Sequence, residues 1–300
     1  MVEKGKEKAM GFKKATKAQA WLRLAAFGPS GAGKTFTTLR IGKGLGGKIA
    51  VIDTERGSAS KYSDRFDFDV LELEDQSVEG YCEAIKMAKE GGYNVLIIDS
   101  LSHAWQTLLE EVEKLAKAKY RGNTWSAWSE GTPLQRKLVQ AILQFPGHIL
   151  ATIRAKTEWT TVENSKGQKQ PQRVGLAPEQ GKGIEYEFDL LLEISTEHIG
   201  NVIKDRTGKF QDKLIEKPGE DFGKSLAAWL SEGEPAKPEP SAADNARNAI
   251  AKADNLERLE AIRRAVDARH AEGVFSDAVK AELITLCLNR TEELMEEVAT

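Results

Sequence analysis

The sequence predicts an α/β protein: a mostly parallel sheet flanked by helices, then a small C-terminal helical hairpin. Three observations carry this expectation. A glycine-rich loop, Gly28-Pro29-Ser30-Gly31-Ala32-Gly33-Lys34-Thr35, sits between an apolar run and a helical one. Short apolar runs then alternate with amphipathic stretches, the pattern of strands and crossover helices. Beyond a proline-rich stretch the periodicity becomes helical throughout.

In chain order, residues 1–17 are rich in Lys and Glu and read as a mobile arm. Trp21 to Phe27 is a buried strand, and Phe36 to Ile41 begins the first helix. Ile49 to Ile52 and Val70 to Leu73 are short strands. Val78 to Lys89 is helical, and Val95 to Ile98 is a strand of the fully buried type. A long helix runs from Ser102 to Tyr120. Pro133, beside a Thr132 cap, opens another helix that reaches Phe145. Ile149 to Ile153 is a strand. Two later strands, Tyr186 to Ile194 and His198 to Lys204, lie close enough to pair as a hairpin. A helix over Asp221 to Leu230 ends a core spanning 18–231. Residues 232–243 form a proline-rich linker, with Pro235, Pro238 and Pro240 in extended chain. Residues 244–300 form the small helical domain, a hairpin or a bundle. Ala249, Leu256, Leu259, Ile262 and Val266 give one apolar stripe, and Val279, Leu283, Leu286 and Leu288 give another. Gly273 separates the two stripes, and Ser276 caps the second.

Three hundred residues, 40% of them apolar, suit one large domain with an appendage. The 43 basic and 46 acidic side chains nearly cancel. Any nucleic-acid surface must therefore come from local segregation of charge. Cys82 and Cys287 form no metal spacing and suit a reducing compartment. No apolar run approaches membrane-spanning length. The expectation is a cytoplasmic protein without a membrane partner.

The loop matches G-x-x-x-x-G-K-T in the context that gives the pattern meaning, strand before and helix after. Its glycines let successive N–H groups turn inward onto phosphate oxygens, and the helix N-terminus adds partial positive charge. Lys34 reaches the terminal phosphates, and the Thr35 hydroxyl holds Mg²⁺. This is a nucleoside-triphosphate site, with ATP and Mg²⁺ as the expected ligands and Gly28 to Phe36 as its lining.

The strand Asn94 to Ile98 delivers Asp99 to the same sheet edge, where it orients water on Mg²⁺ beside Thr35. Ile52-Asp53-Thr54-Glu55 brings a second carboxylate nearby. Glu55 suits the role of orienting the attacking water. Spacing alone leaves a solvated acidic turn open.

A strand ending Asp-x-Glu between the phosphate loop and the second aspartate is similar to the RecA-type recombinase core. The resemblance spans residues 21 to 230. It implies that Glu55 activates water and that Tyr62 stacks on adenine. Gly147 to Lys156, with its Ile-Arg-x-Lys tail, resembles the family segment that ends in a γ-phosphate-sensing polar residue. The family commonly has glutamine where this chain has Thr152, which needs a bridging water to do the same. Asn201 to Arg206 resembles the element whose basic residues reach a neighbouring subunit's γ-phosphate, which makes Lys204 and Arg206 trans fingers. A basic turn on a hairpin is the alternative. The compact core looks most like phage-encoded RecA-core ATPases of recombination modules, the Sak-type single-strand annealing group.

Between Arg154 and Lys182 the sequence shows no clear periodicity and reads as a long irregular loop. Arg154, Lys156, Lys166, Lys169, Arg173 and Lys182 would track single-stranded DNA there, as the matching family loop does. A second loop, Arg121 to Trp128, offers Arg121 and Trp125 for the same purpose. Packing against the next helix is the alternative for Trp125 and Trp128. The leading expectation is a DNA-dependent ATPase that assembles on single-stranded DNA as a filament or ring and promotes pairing or annealing. A helicase-like motor or loader, and a nucleotide-gated switch, remain open. The C-terminal helices would dock another recombination or single-strand-binding protein.

Overall fold

The computed structural model describes residues 19–163, 169–181, 183–232, 242–271 and 274–299. The expected N-terminal arm, most of the proline-rich linker, Gly273, Lys166 and Lys182 lie outside the described residues. The chain divides into two compact units, Met1–Pro235 and Ala236–Thr300.

In the first unit, strands β1 (Arg23–Gly28), β2 (Ile49–Asp53), β3 (Asp69–Glu72), β4 (Val95–Asp99), β5 (His148–Glu163), β6 (Lys169–Pro178), β7 (Leu190–Ile194), β8 (Ile199–Asp205) and β9 (Leu214–Glu216) form one sheet among the described residues. The order is β3-β2-β4-β5-β1-β7-β8-β9, with β6 pairing only the outer part of β5. Strands from β3 to β7 run parallel, and β8 and β9 add antiparallel edges.

Alternation along each strand builds two cores. Ala25, Phe27, Ile52, Leu96, Ile98 and Ile149 face helices α2 (Val78–Glu90), α3 (Ser102–Lys119) and α4 (Thr124–Gln144). Leu24, Ala26, Val51, Ile97, Leu150 and Leu192 face α1 (Lys34–Leu45) and α5 (Glu220–Ser231). A two-residue side-chain period buried on both faces is why these strands read as continuous apolar runs. Helices α1 and α5 approach through glycine. A Cβ on Gly44 would sit 2.1 Å from the Glu220 carbonyl oxygen, and one on Gly223 would sit 2.3 Å from that of Ile41. Buried Arg23 donates to the carbonyls of Leu143 and Phe145 at 3.0 and 2.6 Å, which satisfies the C-terminal end of α4.

Two expectations are corrected. The helix expected from Pro133 begins nine residues earlier at Thr124, capped by Asn123 Oδ1 accepting from Ser126 N at 3.2 Å, and Pro133 lies inside it. A side-chain cap outweighed the proline as a start signal. The irregular segment after Ile153 is instead an extension of β5 paired antiparallel with β6, with a bulge at Glu158/Trp159. A two-stranded ribbon carries its own backbone ladder and needs no apolar face, so periodicity could not reveal it. The C-terminal unit is helical as expected and takes the bundle alternative, with three described helices, α6 (Ala242–Ala251), α7 (Leu256–Ala271) and α8 (Asp277–Ala299). The first apolar stripe crosses a break where Asn255 Oδ1 accepts from Arg258 N at 2.8 Å and caps α7. Ile250, Leu259, Val266, Phe275, Leu283 and Cys287 form this unit's own core. Ser276 caps α8 as expected, accepting from Val279 N at 3.4 Å.

Candidate functional site: a phosphate-loop cleft

The C-terminal ends of β1, β2, β4 and β5 meet at one sheet edge, and the crossovers leave the sheet on opposite faces there. Ligands of open α/β sheets bind in such a crevice. A cavity of ≈ 590 Å³ occupies it, lined by Gly28, Ser30, Gly31, Gly33, Lys34, Thr35, Glu55, Ser58, Tyr62, Asp99, Arg154, Ala155 and Glu179.

The loop curls through Gly31 and Gly33, with φ of 80° and 79°. A side chain at either position would be strained. Lys34 opens α1 and folds back, its ammonium donating to Gly28 O at 3.1 Å and Pro29 O at 2.9 Å. Burial pulls its pKa below the usual ammonium value, while Glu55 and Asp99 act to hold it up. Thr35 Oγ1 donates to Asp99 Oδ2 at 2.6 Å, and Thr152 Oγ1 donates to Asp99 Oδ1. Asp99 is 2% exposed. Burial raises its pKa, and the two hydroxyl donors oppose that shift.

Hydroxyl and carboxylate oxygens at this spacing fit a hard cation. Mg²⁺ at phosphate sites needs few protein ligands, since phosphates and waters complete its octahedron. Among the described residues no group of three or more His, Cys, Asp or Glu could hold a metal ion.

Asp53 turns inward. Its carboxylate accepts from Glu55 N at 2.6 Å and Ala59 N at 2.9 Å, holding the turn after β2. Glu55 is thereby aimed into the cleft, where its Oε1 lies 3.1 Å from the Arg154 guanidinium. Behind it, Thr54 Oγ1 lies 2.6 Å from His103 Nδ1. Burial and then Arg154 lower the pKa of His103.

A family model described as an AAA domain matches residues 20–214, well over half of the chain. The chain belongs to this AAA-domain family. The match covers the loop, both strand-end carboxylates and every strand that frames the cleft. The AAA-domain core is therefore a P-loop nucleotide-binding domain. Among solved structures, the chain is similar to one titled the crystal structure of the RadB recombinase. The two share 15% sequence identity over 66% of this chain and 89% of that one, with a TM-score of 0.38. No curated protein matches the chain.

The AAA-domain cleft gathers some expected residues and not others. Lys34, Thr35, Glu55, Asp99 and Tyr62 line it or meet within it. The Tyr62 ring also packs 5.4 Å from that of Phe36. Thr152 is fully buried and reaches the cleft only through Asp99. Arg154, expected on a DNA loop, stands in the nucleotide cleft. Lys204 donates to the carbonyls of Glu185 and Tyr186 at 2.7 and 3.1 Å. Arg206 donates to Tyr186 O at 2.7 Å and Asp189 at 3.2 Å. Both basic residues are thus held by their own chain beside β7.

Of the residues expected to contact DNA, Arg121 is exposed in the turn before α4, with φ 52°. The loop expected around it is mostly helix. Trp125 lies in the first turn of α4 with its side chain 87% exposed, whereas Trp128 stacks on Trp105 at 5.6 Å. Exposed Lys156 pairs in register with Ala177 at the base of the β5–β6 ribbon, and Lys169 and Arg173 lie on β6. Sequence reasoning missed Glu179 and His103 as neighbours of the site. No local pattern marks either one.

Proposed function

We propose that this protein is an ATP-dependent, single-stranded-DNA-binding recombination protein with a RecA-like core. It hydrolyses ATP where copies of the chain meet, and it promotes DNA pairing or annealing. The observation that carries this reading is the continuity of β5. One strand presents Thr152 to Asp99, Arg154 to Glu55, and then runs out as the basic β5–β6 ribbon that carries Lys156, Lys169 and Arg173. A strand shared by phosphate cleft and ribbon gives polyanion binding on one a direct mechanical route to the other.

In this reading Lys34 neutralises the terminal phosphates, and Thr35 with Asp99 holds Mg²⁺. When bound, the metal supplies charge neutralisation between the phosphates. Glu55 orients the attacking water. Tyr62 and Phe36 border a neighbouring cavity of ≈ 470 Å³ that shares Gly31 and Gly33 with the cleft, a place for the nucleoside. Lys204 and Arg206 exchange their intrachain partners, the carbonyls of Glu185 and Tyr186 and the Asp189 carboxylate, for the neighbouring copy's triphosphate in a filament or ring. Arg121 and Trp125 add a second DNA contact, and the C-terminal unit docks a further recombination protein.

The test is ATP turnover with and without single-stranded DNA at low salt. The reading expects stimulation that declines as salt rises. Turnover indifferent to DNA at low salt would refute it.

A further inference from the structure

The sequence sets Arg154 among the expected DNA contacts. The structure puts it elsewhere. In the β1–β5 register Arg154 is the partner of Gly28, the first residue of the phosphate loop. Its backbone is clamped on both sides: Arg154 N donates to Ser102 Oγ at 2.9 Å, and Arg154 O accepts from Glu179 N at 2.7 Å. The side chain is therefore launched from a fixed point one strand away from the loop. It ends in the cleft that Lys34, Thr35 and Glu55 also line. Among the residues described as lining that cleft, Lys34 and Arg154 are the cations, against Glu55, Asp99 and Glu179.

Among the described residues the guanidinium pairs with one side chain, Glu55, whose Oε1 lies 3.1 Å away, and both side chains are part-exposed, at 44% and 32%. An ion pair so open to water is weakly held. A terminal phosphate seated by Lys34 presents a second, more highly charged anion to the same guanidinium, and the planar fork suits phosphate as well as carboxylate.

We propose that Arg154 is a ligand of the terminal phosphate, supplied by the same chain that carries the phosphate loop, and that it binds this phosphate in exchange for Glu55. The exchange couples two events. The guanidinium reads whether a third phosphate is present, and its departure leaves the Glu55 carboxylate free to orient water. Thr152, fully buried and bonded to Asp99, is not among the residues that line the cleft. The inference rests on the reading of the cleft as a triphosphate site, but not on DNA binding.

The test is equilibrium binding, without DNA, of a non-hydrolysable ATP analogue and of ADP to wild type, Arg154→Ala, Arg154→Lys and Glu55→Gln. Loss of a charge-assisted contact to the third phosphate should weaken the analogue by about tenfold or more and ADP by about twofold at most. Arg154→Lys should fall between wild type and Arg154→Ala. Glu55→Gln removes the competing anion, so it should bind the analogue more tightly than wild type while leaving ADP unchanged. Equal losses for the two nucleotides, or none, in folded Arg154→Ala would overturn the proposal. So would a variant that loses DNA binding while its analogue-to-ADP ratio stays at the wild-type value. Wild type that binds the analogue but ignores DNA would sink the recombination reading and leave this one standing.

Discussion

Thr35 and Asp99 stand 64 residues apart in the chain, and the hydroxyl of one donates to the carboxylate of the other across 2.6 Å. That contact joins the start of α1 to the end of β4 and marks where a cation would sit between them. Asp99→Asn keeps the shape and removes the charge. We expect the variant to bind nucleotide, to lose most of its Mg²⁺ dependence, and to turn over about 10²-fold more slowly. Nucleotide binding and hydrolysis titrated against Mg²⁺ check this, and wild-type turnover in the variant would remove Asp99 from the metal site.

Glu55 is aimed by the Asp53 turn and pairs with the Arg154 guanidinium at 3.1 Å. Glu55→Gln should retain nucleotide binding and lose turnover by about 10² or more, the usual worth of a positioned base. Single-turnover hydrolysis separates the two effects. A glutamine variant that hydrolyses at the wild-type rate would exclude the carboxylate from catalysis.

Arg206 has a double prospect, since it anchors Tyr186 and Asp189 in its own chain. As a trans finger, Arg206→Ala should bind nucleotide normally and hydrolyse little. Mixing it with Lys34→Ala should then restore turnover, because half of the mixed junctions combine an intact loop with an intact finger. Without rescue on mixing, Arg206 is an intrachain anchor and nothing more.

His148 accepts a hydrogen bond from Leu22 N at 3.0 Å, and burial, followed by the nearby Arg23 charge, lowers its pKa to about 4. The unfolded chain takes up this proton near pH 6.5, and the folded chain holds it off until about 4. The neutral histidine therefore favours the native state fully above pH 6.5, and that contribution is lost as pH falls toward 4. The loss is up to about 3 kcal/mol. Chemical denaturation of wild type and His148→Asn at pH 7.5 and pH 5 measures it. The wild-type midpoint should fall further than that of the variant; parallel shifts would contradict the assignment.

Much of the architecture was legible because its signals are local. Each of the apolar runs of β1, β2 and β4, like the loop between β1 and α1, is written in consecutive residues. A fully buried strand leaves a composition that no solvent-exposed segment shares. The ribbon of β5 and β6 left no such trace, since its pairing lies in backbone hydrogen bonds that any residue but proline can make. Helix α4 carries two local start signals, Pro133 and the Asn123 cap, and only the structure shows that the helix begins at the Asn123 cap. The break between α6 and α7 hid within one apolar stripe, because helical phase survives a short interruption.

By itself the sequence determined that a phosphate loop lies between a strand and a helix, with carboxylates at the ends of two further strands. Covalent order and a two-residue side-chain period suffice for that. Only the tertiary structure decided which side chains share the cleft. Register between β1 and β5 sets Arg154 beside Gly28, and the fold turns Thr152 onto Asp99 and Lys204 onto the carbonyl of Glu185. Those neighbours are distant in the chain, and their meeting depends on strand order, which residue-by-residue preferences do not encode.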